Sequence, residues 1–331
     1  MWTVLWTSRT HRHPYDARVR RPAVWLVAAA ASLLAVGLAA ARVGEAPGGL
    51  SNWQALALGL VQGSTELLPI SSSGHLALAP WLFEWDYLTE NRAFGHTFDV
   101  ILHLGTLAAV VGYFWREVVT LPVAWFRSVG KRRVDTPEEK LAWLVVLATI
   151  PGVAVGAVAG AFIATEAGQP WQIALSFAVF GVVLWAADRR PATREMASIT
   201  SRNAVAIGVS QALALLPGVS RSGITITTAR FLGLDRDAAA RFSFLLAIPI
   251  TLGAILYKLV GDVALGELPE GVWGPLAVGL IASTVSGLAA IEGLLSYVRR
   301  HDYTPFVVYR LLFALVVFVL IVGGVRPATF S

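Results

Sequence analysis

The sequence predicts an all-α, polytopic membrane protein arranged as an inverted-topology repeat. It has about six core transmembrane helices, two re-entrant helix–loop–helix segments and one extra N-terminal transmembrane helix. Three observations lead there. Of 331 residues, 56% are hydrophobic and only 14% are Asp, Glu, Lys or Arg, where a soluble domain carries roughly 25% of those charged types. The mean hydropathy is +0.65, and several apolar stretches approach or exceed the ~20 residues a bilayer core demands. Two polar, Gly/Ser/Pro-rich interruptions share one pattern at a separation of 148–149 residues. The absence of Cys excludes disulfides, thiolate zinc sites and cysteine-phosphatase chemistry. The net charge of +5 belongs in cytoplasmic loops of such a protein, and nucleic acid is not an expected partner.

In chain order, residues 1–48 read as a basic extension with a membrane anchor. Arg9, Arg12, Arg18, Arg20 and Arg21 precede an uncharged run from Pro22 to Ala41, longer than the roughly 7–15 apolar residues of a signal peptide. A retained anchor with its N-terminus inside is the expectation. Residues 49–331 form the membrane-embedded domain, with repeat one at about 49–187 and repeat two at about 203–325. Spans are expected at about 99–119, 141–164, 171–187, 240–260, 274–298 and 304–325. Residues 127–140 hold Arg127, Lys131, Arg132, Arg133 and Lys140; residues 188–202 hold Arg189, Arg190, Arg194 and Arg202; Arg299 and Arg300 mark a third basic turn. The alternate loops carry Glu84, Asp86 and Glu90, or Asp262, Glu267 and Glu270. The positive-inside rule places the basic loops in the cytoplasm.

Residues 53–83 and 204–233 do not read as ordinary spans. They contain GLVQGSTELLPISSSGH, from Gly59, and GVSQALALLPGVSRSGI, from Gly208. In each, Pro ends a helix and Gly permits a tight turn. Irregular backbone at membrane depth is tolerated where it lines a cavity or is buried in protein. An odd number of spans separates the copies, so the first is entered from outside and the second from inside, as in inverted repeats around a midplane site.

Charged groups inside apolar segments are functional candidates by default. The first break offers Glu66 and His75 with Gln62, Ser71, Ser72 and Ser73; the second offers Arg221 with Ser220, Ser222 and Thr225. Gln62 and Glu66, four apart, share a helix face. Helix N-termini beside an Arg fork make a cradle for phosphate or diphosphate, in which Ser71, Ser73, Ser220, Ser222 and Thr225 are the expected binding groups. A lone His at a helix start is ordinarily a cap, and Ser clusters ordinarily fill helix contacts; acid, His, Ser and Arg on matched breaks point further, to phosphoryl transfer. Glu66, with Gln62, suits a divalent cation through oxygen ligands, or Glu66 acts as general base. Either Ser72 or His75 is the nucleophile. A site within the bilayer selects a lipid-borne phosphate. Asp99 and His103 carry weak signals alone, and Arg310 with Glu292 is expected to pair structurally across the last two spans.

QGSTELLPISSSGH and LLPGVSRSGITIT resemble the two signature regions of the undecaprenyl-diphosphate phosphatase (bacitracin-resistance) family. FSFLLAIP (Phe242–Pro249) and PFVVYR (Pro305–Arg310) are also similar to that family's pattern. The likeness runs from about Trp53 to the C-terminus. It implies a hydrolase of the bacterial cell membrane that releases phosphate from a polyprenyl diphosphate, recycles the carrier lipid of the cell wall and confers bacitracin resistance. Its site is expected to open to the outer face, among membrane lipids, with a homodimer left open. Glu66, Ser72, His75, Ser220, Arg221, Ser222 and Thr225 match motif positions. The family's association with divalent cations implies Mg2+ or Ca2+. Gln62 stands where the family has Glu or Gln, which weakens a mechanism needing two carboxylates on one metal. The alternative is a lipid-phosphate or phosphate transporter. An acid-phosphatase-type lipid phosphatase is excluded, since Thr227 occupies the position of its second His.

Overall fold

The computed structural model describes residues 49–85, 87–259 and 271–330. The anchor expected at 22–41, with its basic extension, and the acidic residues Asp262, Glu267 and Glu270 lie outside the described residues. Helix α1 (Asn52–Leu67) starts in a capping box between Ser51 and Gln54 and stops before Pro69, which cannot continue it. Helix α2 (Ser72–Phe83) and a single turn, α3 (Tyr87–Glu90), follow.

Helix α4 (Arg92–Tyr113) is the first long crossing, and here the structure corrects the span expected at 99–119. At Phe114 the backbone leaves helical geometry (φ −100°, ψ 28°), and α5 (Trp115–Lys131) runs on separately. The membrane-crossing segment is Phe94–Tyr113. Trp115, Val119, Val123 and Phe126 are exposed on α5, while Arg116, Glu117, Arg127 and Lys131 share its other positions. That pattern suits a helix lying in the interface. The basic loop expected from residue 127 therefore begins helical.

Helix α6 (Pro137–Glu166) opens with Pro at its first position and a Thr136–Glu139 capping box; α7 (Pro170–Asp188) follows. The second break comprises α8 (Ser201–Gln211), a 3-10 turn (Ala212–Leu215) and α9 (Arg221–Phe231). Helices α10 (Arg236–Lys258), α11 (Trp273–Val298) and α12 (Thr304–Val322) complete the chain. Among the described residues six helices, α4, α6, α7, α10, α11 and α12, are long and apolar enough to cross a membrane.

The packing has an internal correspondence. Helix α11 lies along α1 and α4, and α6 lies along α8 and α10; α4 packs on α10, and α7 on α12. Exchanging α1 with α8, α4 with α10, α6 with α11 and α7 with α12 maps these contacts onto one another. Close approach depends on small residues. A Cβ at Gly63 of α1 would lie 2.1 Å from Ser286 Oγ and 2.2 Å from the Ser283 carbonyl of α11, and one at Gly208 of α8 would lie 2.4 Å from the Ala148 carbonyl of α6. At one end, the buried Asp188 carboxylate accepts from Arg230 Nε (3.0 Å), Arg236 Nε (2.8 Å) and the Tyr303 amide (2.9 Å). This knot ties α7, α9, α10 and the start of α12 together.

Candidate functional site

Both breaks turn through a serine with left-handed backbone. Ser71 has φ 73° and Ser220 φ 75°, and the two stand at equivalent motif positions, 149 residues apart. A non-glycine residue so placed costs of order 1–3 kcal/mol and persists only where its surroundings hold it. The second turn also contains Gly218 at φ 91°, where a Cβ would meet the Ile173 carbonyl at 2.6 Å.

What holds them is Arg310 of α12, wholly buried. Its Nε donates to the Phe177 carbonyl (3.1 Å), Nη1 to those of Pro69 and Val219 (both 3.2 Å), and Nη2 to those of Ser176 (3.2 Å) and Gly218 (2.9 Å). All five guanidinium N–H groups are thereby used, three of them on the two loops. This corrects the expected Arg310–Glu292 pair. Glu292 instead accepts from Tyr113 Oη at 2.8 Å and from Ser296 Oγ at 3.0 Å, because the Arg310 side chain turns into the loops. Ser222 Oγ adds a direct tie between the breaks, donating to the Leu68 carbonyl at 2.9 Å.

With the loops so fixed, Glu66, Ser72 and Arg221 converge. Arg221 Nη2 donates to Glu66 Oε1 at 2.8 Å, both side chains being 11% exposed. Ser72 Oγ donates to the other carboxylate oxygen, Oε2. Arg221 Nη1 is steadied by the Ser243 carbonyl at 3.1 Å. The Gln62 amide lies 3.5 Å from Glu66 Oε2, and its own oxygen is buried without a partner. A narrow cleft runs beside Glu66 and Arg221, walled by Thr106, Leu107 and Val110 of α4 and by Ala247 and Thr251 of α10. Ser72 and Arg221 each begin a helix, α2 and α9, so the amide-rich ends of both helices meet at this carboxylate.

The other sequence candidates fall into place around this trio. Ser220 Oγ caps α9 by accepting from the Gly223 amide at 3.0 Å. Thr225 Oγ1 donates to the Arg221 carbonyl at 2.8 Å and pairs with Ser243 Oγ at 2.7 Å. These two and Ser222 brace the second turn through bonds within the protein. Ser71 Oγ lies 3.4 Å from Ser73 Oγ, and Ser73 is exposed. His75 is not hydrogen-bonded to the trio. Its Nδ1 donates to the Ser71 carbonyl at 2.6 Å, which leaves Nε2 to accept from Tyr309 Oη at 2.6 Å. The ring stacks on Phe313 and meets Phe177 edge-on.

Sequence reasoning did not single out Ser243 and Tyr309, although both lie in the family-like stretches Phe242–Pro249 and Pro305–Arg310, and it misassigned Arg310. The charge of Arg310 in the otherwise apolar run of α12, at the end of the second of those stretches, was its signal. A metal-binding cage is absent: among the described residues no three His, Cys, Asp or Glu side chains are grouped to hold an ion. The partnerless Gln62 oxygen beside one carboxylate instead suits a hard cation shared with substrate oxygens, the manner in which Mg2+ is commonly held.

A family model described as "Bacitracin resistance protein BacA" matches residues 55–316. A Gemmatimonas aurantiaca protein named undecaprenyl-diphosphatase is 44% identical over 267 residues, covering 80% of this chain and 96% of that one. Proteins of the same name from Desulforudis audaxviator (44% over 275 residues; 82% and 98%) and Pelobacter propionicus (45% over 260 residues; 78% and 93%) are similarly matched.

Proposed function

The chain belongs to the bacitracin resistance protein BacA family, and on that premise we propose how it works as an integral membrane undecaprenyl-diphosphatase. It hydrolyses the terminal phosphate of undecaprenyl diphosphate to give undecaprenyl phosphate, the recycled carrier lipid of cell-wall synthesis, and so confers bacitracin resistance. The observation that carries the mechanism is the Ser72–Glu66–Arg221 contact, in which one carboxylate oxygen takes the serine hydroxyl and the other takes the guanidinium.

Ser72 Oγ is the nucleophile and Glu66 its base, a pairing favoured over His75 because both His75 ring nitrogens are engaged elsewhere. Ser72 Oγ attacks the terminal phosphorus, its proton passes to Glu66, and the bond to the bridging oxygen breaks, releasing undecaprenyl phosphate. Glu66 gives up that proton to solvent. It then takes one from water, which attacks the phosphoserine and frees inorganic phosphate as Glu66 passes that proton to the departing Ser72 Oγ. Arg221 and the first-turn amides of α2 and α9 neutralise charge on the phosphoryl oxygens. His75 positions Ser71, and through it the turn that presents Ser72. Gln62 and Glu66 would hold Mg2+ or Ca2+ against the substrate phosphates, where the cation would supply further charge neutralisation.

Basic residues at 127–133, 189–202 and 299–300 favour a cytoplasmic location for that side of the bundle. This orients the two repeats oppositely in the bacterial cell membrane and opens the cleft, along α4 and α10, toward the outer face. A homodimer is an expectation that light scattering of the detergent-solubilised protein measures.

The test is phosphate release from undecaprenyl diphosphate by purified protein, with and without EDTA, beside Ser72→Ala, Glu66→Gln and Arg221→Ala. Wild-type release that is suppressed by EDTA, with each variant reduced by at least ~10²-fold, is expected. Full turnover by Ser72→Ala would remove the serine from the chemistry.

A further inference from the structure

The catalytic trio accounts for one phosphate, and the substrate has two. The phosphorus atoms of a diphosphate share a bridging oxygen, so the lipid-linked phosphate must lie within a few ångströms of the first. The face of α4 that walls the cleft continues outward from Thr106 through His103 to Asp99, spacings that keep all three on one side of the helix. The face of α10 that supplies Thr251 likewise continues to Lys258, seven residues on. At about 1.5 Å per residue, Asp99 and Lys258 each stand roughly 10 Å beyond the cleft, and there they pair directly across the two helices.

His103 sits between that pair and the cleft. Its Nδ1 lies 2.8 Å from the Asp99 carbonyl and 3.4 Å from the Asp99 carboxylate. Nδ1 therefore carries a hydrogen, and in the imidazolium that the Asp99 carboxylate partners, Nε2–H is free to donate to a phosphate oxygen. The His103 side chain is 28% exposed. His103 thus stands one turn outward of the cleft wall at Thr106, on the same side of α4.

We propose that His103, oriented by Asp99, is a further substrate-binding residue that takes the lipid-linked phosphate while the terminal phosphate occupies Ser72, Glu66 and Arg221. The Asp99–Lys258 pair fixes the separation of α4 and α10 above it. This assignment rests on the diphosphatase reading.

The experiment uses the full chain in detergent with His103→Gln, His103→Ala and Asp99→Asn, and two probes, inorganic phosphate and methylenediphosphonate. Turnover of undecaprenyl diphosphate by His103→Gln should show KM raised about tenfold with kcat within about threefold of wild type. A retained kcat shows that the fold and the trio are intact. Methylenediphosphonate should inhibit the variant about tenfold less well, with inhibition by phosphate unchanged. Asp99→Asn should shift KM in the same direction by less. Unchanged KM and inhibition, or equal weakening of both probes, would overturn the assignment. Thermal stabilisation by the same probes reads His103 independently of turnover. A wild-type protein that hydrolyses nothing yet loses diphosphonate stabilisation on His103→Gln would therefore count against the diphosphatase reading and for the second phosphate point.

Discussion

Replacing Arg310 with Lys tests the idea that one buried guanidinium sets the geometry of both breaks. Lys offers three N–H donors where Arg310 uses five, so at least two of the carbonyls of Pro69, Ser176, Phe177, Gly218 and Val219 must lose their partner. An unsatisfied buried acceptor costs about 1–3 kcal/mol, which puts the loss at roughly 2–6 kcal/mol. At roughly 2–4 °C per kcal/mol, the melting temperature in detergent should fall by at least about 4 °C. The comparison that isolates the mechanism is Phe114→Ala. It removes a ring 3% exposed in the core and should cost a similar ~3–5 kcal/mol without taking away any hydrogen bond to the loops. Assayed well below both melting temperatures, Arg310→Lys should lose most of its kcat, because Ser71 and Ser220 relax and Ser72 leaves Glu66. Phe114→Ala should keep its kcat. Equal kcat in the two variants, or wild-type melting of Arg310→Lys, would refute the clasp.

Other expectations follow from the same packing. Gly63→Ala places a methyl against the Ser283 carbonyl and Ser286 Oγ, and should destabilise by about 1–3 kcal/mol, seen as a lowered melting temperature, whereas Gly293→Ala on α11, with open space around it, should not. Asp188→Asn strips the carboxylate charge from Arg230 and Arg236 and should cost about 3–5 kcal/mol, measured as poor recovery of folded protein; a normal yield and melting curve would mean the carbonyls around Arg230 suffice. Ser71→Gly relieves a left-handed serine that caps nothing with its side chain. It should raise the melting temperature by the equivalent of about 1 kcal/mol. Ser220→Gly also gives up the bond to the Gly223 amide and should gain nothing.

Composition and repeat spacing made most of the architecture legible. Five of the six spans lie within about four residues of expectation, and both breaks fall where Pro69 and Pro217 place them. The first crossing was drawn too far along because apolar residues continue past Tyr113 into Val118, Val119 and Leu121; nothing local marks the turn at Phe114 that converts the run into an interfacial helix. Glu66, Ser72 and Arg221 were legible as charge and hydroxyl inside apolar segments. The direction of the His75 ring was not, since Tyr309 is 234 residues away, and neither was the clasp, whose acceptors are backbone atoms of any residue type. Asp99 and His103 on α4 and Lys258 on α10 were isolated polar residues, and only the packing of α4 on α10 gives them a common address.

The clasp has a consequence for the order of assembly in the cell. Ser72 is made early in synthesis, but the guanidinium that fixes its turn arrives on the last helix, and α1 finds its principal neighbour only when α11 is in place. On the proposed mechanism, a nascent chain that has inserted both breaks still lacks a competent site. Chains cut short before residue 310 should then be inert rather than partly active, and catalytic competence would report that insertion has run to completion.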